Sequence, residues 1–232
     1  MTRPKLLDLF CGAGGAAMGY YRAGFDVVGV DIKLQPRYPF EFHQGDALEY
    51  LRERGHEYDA IHASPPCQAY STLRVMPNAV KHPELIDVVR EALSDPGKPW
   101  VIENVVGAPL RIGPPALLWD TTGVLLCGTM FALETDRYEL RRHRLFESSA
   151  VLPQPQCRHN GKIVIGFYGD HARIRKRREG AANRGYDITG EAKMSLVHDL
   201  LGITWMNWDE VSQAIPPAYT EYIGRYLLGA LP

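Results

Sequence analysis

The feature that most constrains this chain is an alternation of short apolar runs with stretches of helical spacing, each run closed by a polar or glycine-rich turn. The runs are Lys5–Phe10, Asp26–Val30, Phe40–Gln44, Tyr58–Ala63 and Pro99–Ile102. Between them lie Ala16–Ala23, stopped by Gly24, then Ala47–Arg54, stopped by Gly55, and a stretch opened by His82-Pro83 that runs through Leu93. Glycine ends a helix because it tolerates the left-handed conformation of the cap, and proline suits the first turn because its missing N–H is an orphan there. Strands alternating with helices build βαβ units and a parallel sheet. The sequence therefore predicts an α/β fold, a mostly parallel sheet with helices on both faces. Such sheets bind ligands beyond the C-terminal ends of their strands, and this chain collects its polar and reactive residues at those ends.

After the fifth run the pattern changes. Val124–Phe131 and Arg144–Ser148 read as strands with no helix between them, which predicts a hairpin-like continuation. From Val151 to Tyr186, proline, glycine and arginine dominate around one strand at Lys162–Tyr168, and helices are expected over Glu191–Leu201 and Pro216–Leu228. These features divide the chain into a main domain, 1–149 with 214–232, and a small second lobe, 150–213. Repeats and low-complexity tracts are absent.

A length of 232 residues, 45% hydrophobic and 23% charged, suits a globular domain that buries a core without staples. No run of eighteen apolar residues occurs, so a membrane-spanning helix is not expected. The opening Met1-Thr-Arg-Pro-Lys-Leu-Leu-Asp lacks the apolar region of a secretory signal. Cys11, Cys67, Cys127 and Cys157 lie far apart with no CxxC pair, which argues against a structural zinc site or a disulfide framework and fits a reducing cytoplasm. His62, His143, His159, His171 and His198 have no ligand spacing with cysteine or glutamate, so no metal is expected. They read as surface, packing or phosphate-contacting residues. Trp100, Trp119, Trp205 and Trp208 read as core or lobe packing. The net charge is −1, but it is unevenly placed: residues 137–184 hold 12 Lys/Arg against 4 Asp/Glu, and the remainder holds 14 against 23. That asymmetry points to a polyanionic partner meeting one place on an otherwise acidic body.

Gly12, Gly14 and Gly15 sit between a strand and a helix, where glycine lets the backbone approach a ligand and offers N–H groups to an anion. Asp31 closes the second strand, where a carboxylate can hold ribose hydroxyls, and Asp46 closes the third, in reach of an adenine amine. The set describes a nucleoside-cofactor cradle and would serve a dinucleotide equally well. Pro65-Pro66-Cys67-Gln68 closes the fourth strand, the two prolines fixing the backbone that presents the thiol. Glu103-Asn104-Val105 closes the fifth and brings a carboxyl group to the same rim. A sulfur nucleophile beside an acid is the pair needed to add across a pyrimidine C5–C6 bond, sulfur to C6 and the acid at N3. C5 then becomes a carbon nucleophile able to take a methyl group.

With these residues the chain resembles the cytosine-C5 DNA methyltransferases that use S-adenosylmethionine. Asp8-Leu-Phe-Cys-Gly-Ala-Gly-Gly15 is similar to the family's first motif, Asp31 to its second and Gly45-Asp46 to its third. Pro65-Pro66-Cys67-Gln68 is similar to its catalytic loop, and Glu103-Asn104-Val105 to the motif after it. The resemblance implies a Rossmann-like S-adenosylmethionine-dependent methyltransferase fold, with cofactor contacts from Asp8, Phe10, Cys11, Gly12, Gly14, Asp31, Ile32, Asp46, Ala47 and Pro66. It places Phe10 against the adenine, Gly12 and Gly14 near the methionine carboxylate, Asp31 on the ribose and Asp46 on the adenine amine. Cys67 becomes the nucleophile, Glu103 the contact to N3 and the exocyclic amine, and Asn104, Arg142 and Arg144 complete the catalytic set.

The family's Gln-x-Arg-x-Arg motif corresponds to Leu140-Arg141-Arg142-His143-Arg144, with leucine where glutamine is expected. Before its last helix the family has Gly-Asn-x-Val; this chain has Gln213-Ala214-Ile215-Pro216-Pro217-Ala218, followed by Tyr222-Ile223-Gly224. The segment 150–213 stands where the family carries a full target-recognition domain. The implied partner is DNA with the cytosine flipped from the duplex, its backbone held by Arg173, Arg175, Lys176, Arg177 and Arg178. The same chemistry on RNA or a free cytosine nucleotide remains open, as does a non-catalytic nucleic-acid-binding subunit. The thiol–carboxylate pair argues against the subunit, and the proline-held cysteine against an NAD-dependent oxidoreductase.

Overall fold

Within each strand, successive side chains point to opposite faces, and here both faces are apolar. β1 (Lys5–Leu9), β2 (Asp26–Asp31), β3 (Glu41–Gln44), β4 (Ala60–Ala63) and β5 (Trp100–Val105) pair in parallel. β8 (Arg144–Ser148) lies antiparallel between β5 and β6 (Thr122–Leu126), giving the order β3-β2-β1-β4-β5-β8-β6. Leu6, Val27, Ala60, Val101 and Phe146 face α1 (Gly15–Ala23) and α6 (Pro217–Gly229). Leu7, Leu9, Val28, Ile61 and Ile102 face α2 (Ala47–Arg54) and α3 (Ile86–Ser94). The computed structural model describes residues 2–68, 70, 83–113, 121–168, 171–177, 186–191 and 193–231.

Small residues let α6 return against α1. A Cβ on Gly19 would stand 2.0 Å from Thr220 Oγ1, and one on Gly224 would stand 2.7 Å from the Ala23 Cβ. At that approach Thr220 donates to the Ala16 carbonyl at 2.8 Å, tying the C-terminal helix to the first turn of α1.

β7 (Tyr138–Leu140), β9 (Ile163–Tyr168), β10 (His171–Arg177) and β11 (Tyr186–Glu191) form a second sheet in the order β11-β10-β9-β7. β7 and β9 are parallel, the other pairs antiparallel. α4 (Met194–Leu201) and α5 (Trp208–Gln213) pack against it, joining Leu140 and Ile165 to Val197, Leu201 and Val211 in a core that also takes in Ala13. Asn207 and Glu210 close a reciprocal capping box at the start of α5.

Several expected boundaries move, for local reasons. The helix expected from Pro83 begins at Ile86, whose N–H is taken by the Tyr70 hydroxyl at 3.3 Å, so its start is set by a residue sixteen positions away. The strand expected over Val124–Phe131 stops at Leu126, and Gly128–Phe131 is a turn of 3₁₀ helix. Gly128 donates to the Arg141 carbonyl at 2.8 Å, which turns the chain away from the sheet. Glu191 ends β11 instead of opening a helix, which starts at Met194. Trp100, Trp205 and Trp208 pack in or against the cores as expected, and Trp119 lies outside the described residues.

At the rim opposite the reactive residues, Arg90 grips the fully buried Glu147 with two hydrogen bonds of 2.9 and 2.8 Å. The Arg111 N–H at 2.9 Å and the Thr121 hydroxyl at 3.4 Å add to the same carboxylate. Breaking a buried pair from one side leaves the other charge unpaired, which costs more than the pair contributes. Arg90→Met should lower stability by about 3–5 kcal/mol. Urea unfolding followed by circular dichroism reads this as a lower midpoint at unchanged slope; a loss below about 1 kcal/mol would mean that the Arg111 and Thr121 contacts suffice for Glu147.

Candidate active site

Five parallel strands end on one rim, and the residues following them form the site. Phe10 leaves β1 at φ 57°, Gly12 follows at φ 49°, and Gly14 caps α1 at φ 85°. This run of left-handed conformations turns the chain back over the sheet. A Cβ on Gly12 would meet nothing within 4 Å, so the turn borders open space where a ligand can approach the backbone. Asp31 is held toward this turn: its Oδ2 accepts from Gly12 N–H at 3.0 Å and its Oδ1 from Lys33 N–H at 2.9 Å. Asp46 caps α2, with both bonds, from Leu48 and Glu49 N–H at 2.9 Å, falling on Oδ1. Ile32 beside Asp31 is 64% exposed, an apolar surface at the mouth of a polar cradle. From the far side, the Trp205 indole donates to the Ala13 carbonyl at 2.8 Å, and Ile215 backs Gly15, where a Cβ would lie 2.6 Å from its carbonyl oxygen.

Two of the expected cofactor contacts are not at the surface of this cradle. Asp8 is 0% exposed, on the α1 side of β1, with the Tyr38 hydroxyl at 3.5 Å from Oδ2 and, among the described residues, no partner on Oδ1. Burial pushes its carboxyl well above the usual range. Cys11 is buried beneath the turn, its thiol pushed up by burial and by Asp8.

The reactive side chains come from β4, β5 and β8. Period-two alternation puts Glu103 on the α1/α6 face with Val101, and Arg144 on the same face with Phe146 of the neighbouring strand. Arg144 Nε lies 3.1 Å from Glu103 Oε1, the carboxyl buried and the guanidinium partly so. Burial pushes the Glu103 carboxyl up, against the opposing pull of Arg144, Arg142 and a hydrogen bond from Ser64. The Cys67 thiol is likewise pushed up by burial and by the Glu103 charge, with Arg144 and Arg142 drawing it down. Sulfur, carboxyl and guanidinium groups thus share one electrostatic neighbourhood.

Asn104, on the opposite face from Glu103, donates from Nδ2 to the Pro65 carbonyl at 2.9 Å. It anchors the proline-held loop to β5 and acts as a positioning residue. Arg142 is 6% exposed at φ 30°, and it donates to the Ala214 carbonyl at 3.0 Å and the Ser212 carbonyl at 2.6 Å. Its guanidinium joins the segment before α6 to the catalytic rim. Pro66 lies in the same loop, and Ala47 is buried as the first residue of α2.

Behind Glu103 runs a buried chain with no counterpart in the sequence motifs. The Tyr20 hydroxyl is 2.9 Å from His62 Nδ1, and His62 Nε2 is 2.8 Å from Ser64 Oγ. Burial pulls His62 down to about 3, so the imidazole is neutral at physiological pH. One arrangement then satisfies every group: Tyr20 donates to Nδ1, Nε2–H donates to Ser64, and Ser64 donates to Glu103. The period of β4, with His62 between the oppositely facing Ile61 and Ala63, is the one sequence signal for it.

A second cluster corrects the expectation drawn from cysteine and histidine spacing. Cys127, His143 and the neighbouring Cys157 and His159 come from three separate stretches of sequence, yet their ligand atoms lie within 4.8 Å of one another. His143 and His159 are therefore neither isolated surface residues nor free phosphate contacts. Of the basic run, Arg173, Arg175, Lys176 and Arg177 lie on β10, and Arg178 lies outside the described residues.

Residues 4–108 match the family described as C-5 cytosine-specific DNA methylase. The Type II methyltransferase M.XorII of Xanthomonas oryzae pv. oryzae is 30% identical over 125 residues, 46% of this chain and 29% of that protein. The Type II methyltransferase M.FnuDI of Fusobacterium nucleatum is 34% identical over 74 residues, 29% of this chain and 22% of that protein. The chain thus spans less than a third of the length of these curated relatives. Among solved structures, the Schizosaccharomyces pombe Dnmt2 methyltransferase superposes with a TM-score of 0.56 at 12% identity, covering 99% of both chains. A prophage-encoded E. coli protein superposes with a TM-score of 0.58 at 14% identity, covering 97% of this chain and 99% of that one. At such identities the likeness is one of fold. The fold is the Rossmann-like methyltransferase fold, and within it residues 4–108 carry the match to the C-5 cytosine-specific DNA methylase family.

Proposed function

We propose that this protein transfers a methyl group from S-adenosylmethionine to C5 of cytosine in DNA, through a covalent bond between Cys67 and C6. The observation that carries the reading is the Cys67–Glu103–Arg144 neighbourhood on one rim of the sheet, beside the glycine-rich turn. S-adenosylmethionine supplies an electrophilic methyl group on a sulfonium. The open face of Gly12, the capped Asp31 and the Oδ2 of Asp46 fit its carboxylate, ribose and adenine, with Phe10 and Ile32 as apolar walls.

The Cys67 thiolate adds to C6, and the electrons of the C5–C6 bond move through the ring toward N3, where Glu103 supplies the proton. Arg144 holds Glu103 in place, and the Ser64 hydroxyl fixes its second side. C5 takes the methyl group as its bond to the sulfonium sulfur breaks and a neutral thioether leaves; C5 then loses its hydrogen as a proton to solvent, the S–C6 bond breaks to release the Cys67 thiolate, and N3 returns its proton to Glu103. Asn104 and the two prolines keep the thiol from swinging away, which is worth a large part of the barrier when the nucleophile must meet one face of a ring.

Incubation with labelled S-adenosylmethionine and, separately, duplex DNA, tRNA and dCMP tests the substrate. The expected product is 5-methylcytosine in DNA; label confined to tRNA or dCMP would replace DNA by that substrate. Asp31→Ala should weaken S-adenosylmethionine binding by about 1–3 kcal/mol, since an oriented charged acceptor is lost. Unchanged affinity by calorimetry, or tighter binding of NAD, would refute the cradle assignment.

The second lobe supplies the surface for the DNA backbone. In β10, Ile174 pairs in register with Ile165 of β9. Arg173, Arg175 and Arg177 are the arginines of this strand, with Lys176 between the last two. If the three arginines neutralise phosphates, log affinity falls linearly with log salt at about 0.9 per phosphate. Replacing all three by alanine should flatten that slope by about 2–3 while sparing cofactor affinity. An unaltered slope in the triple variant would leave the run as a solvated strand.

A further inference from the structure

We infer that Cys127, His143, Cys157 and His159 form a structural zinc site that clamps the strap between the two sheets to the catalytic rim. The four residues come from three separate places: Cys127 precedes the 3₁₀ turn, His143 lies between β7 and β8, and Cys157 and His159 lie in the strap between β8 and β9. Their ligand atoms nevertheless converge within 4.8 Å. Cys127 Sγ is 3.5 Å from His159 Nε2, Cys157 Sγ is 3.8 Å from His143 Nε2, and Cys157 Sγ is 2.8 Å from His159 Nε2. Zinc–sulfur bonds near 2.3 Å and zinc–nitrogen bonds near 2.05 Å place the corners of a tetrahedron about 3.3–3.8 Å apart. Two of the three separations already meet that range, and the third would open by about 0.7 Å.

The chemistry of the set favours zinc over other occupants. Two thiolates and two imidazoles are the donors of a closed tetrahedral site. Both histidines present Nε2 to the cluster. The Thr129 hydroxyl lies 3.3 Å from Cys127 Sγ and 3.8 Å from Cys157 Sγ, a partner outside the ligand set that can donate to either thiolate. A disulfide between the two cysteines would use neither imidazole nor hydroxyl. Cys127 is fully buried while His159 is exposed, so the site has a fixed inner ligand and an outer side open for metal entry.

The position of the cluster gives the metal its task. Residues 149–162 carry no helix or strand and are mostly exposed, yet they link β8 of the large sheet to β9 of the lobe. Elsewhere Leu152 is buried and Gln154 bonds the Leu125 backbone at 2.9 and 2.8 Å, both in the first half of the strap. Zinc through Cys157 and His159 would pin the second half. His143 sits between Arg142 and Arg144, so the same ion would hold the segment that presents Arg144 to Glu103.

The site is independent of the proposed reaction, and it can be tested without activity. The tag-free protein, purified under reducing conditions, should contain about one zinc per chain by mass spectrometry. Stripped of zinc and given Co²⁺, it should show the intense visible bands of tetrahedral cobalt together with thiolate-to-cobalt charge transfer. Zinc should protect two of four thiols from a disulfide reagent, mapping to Cys127 and Cys157 and leaving Cys11 and Cys67 unaffected. Cys157→Ser and, as a variant that keeps both sulfurs, His159→Asn should each lower zinc affinity at least tenfold, with far-ultraviolet circular dichroism checking that the chain folds. Protein that neither contains zinc nor takes up zinc or Co²⁺ would overturn the assignment. So would full zinc affinity in both folded variants, or a Cys127–Cys157 disulfide recovered in place of metal.

Discussion

Duplex DNA carrying 5-fluorocytosine at the target position should trap the protein as a denaturation-resistant complex when S-adenosylmethionine is present. Methylation at C5 needs a carbanion equivalent, which an aromatic cytosine does not offer until sulfur has added at C6. After methyl transfer the S–C6 bond breaks only when C5 loses its remaining hydrogen as a proton, and fluorine leaves none to lose. Cys67→Ser should abolish trapping, because a hydroxyl is far less acidic and a weaker nucleophile than a thiol. The variant should still bind S-adenosylmethionine, since Asp31 ends β2 and Asp46 caps α2, both away from the Cys67 loop. Trapping that survives in Cys67→Ser, with the adduct mapped to Cys11, Cys127 or Cys157, would refute the assignment of the nucleophile.

Glu103→Gln should slow methyl transfer by about 10²–10⁴-fold, the usual contribution of a positioned acid. The same substitution should make Cys67 more reactive toward a simple alkylating agent. The carboxylate is among the causes that push the thiol up, and Arg144 and Arg142 act the other way. Without it the guanidinium groups are unopposed, the thiol loses its proton at lower pH, and iodoacetamide modification near neutrality should accelerate. Opposite signs for the two rates separate an acid acting on the substrate from a residue that merely shapes the pocket. If both rates fall together, Glu103 is a packing element of the site.

The neutral His62 between Tyr20 and Ser64 bears on the same acid. Because burial has pulled its pKa down to about 3, it stays uncharged through the working pH range and orients Ser64 without adding a charge. Its role in this reading is positional, through the hydroxyl that bonds Glu103.

Much of this molecule was legible in its sequence because the signals are short in range. Apolar runs at period two, glycine at Gly12 and Gly14, and a proline pair before Cys67 each act within a few residues, and they set the strands, the cradle and the presented thiol. Strand ends follow from the same pattern, so Asp31, Asp46, Cys67 and Glu103 could be placed on one rim before any sheet order was known. The Arg144–Glu103 pair depends on something longer in range. It requires β8 to insert antiparallel next to β5, a choice made by packing of both faces against helices far apart in the chain. The same holds for Tyr20 and His62, joined only when α1 covers β1 and β4, and for Arg142, which meets Ala214 only once α6 has closed against Gly19. Cys127, His143, Cys157 and His159 are the extreme case. Ligand spacing along a chain reveals a metal site when one hairpin or helix carries the ligands, whereas here three separate segments converge. Local periodicity could not encode that convergence; only the tertiary structure brought those segments together.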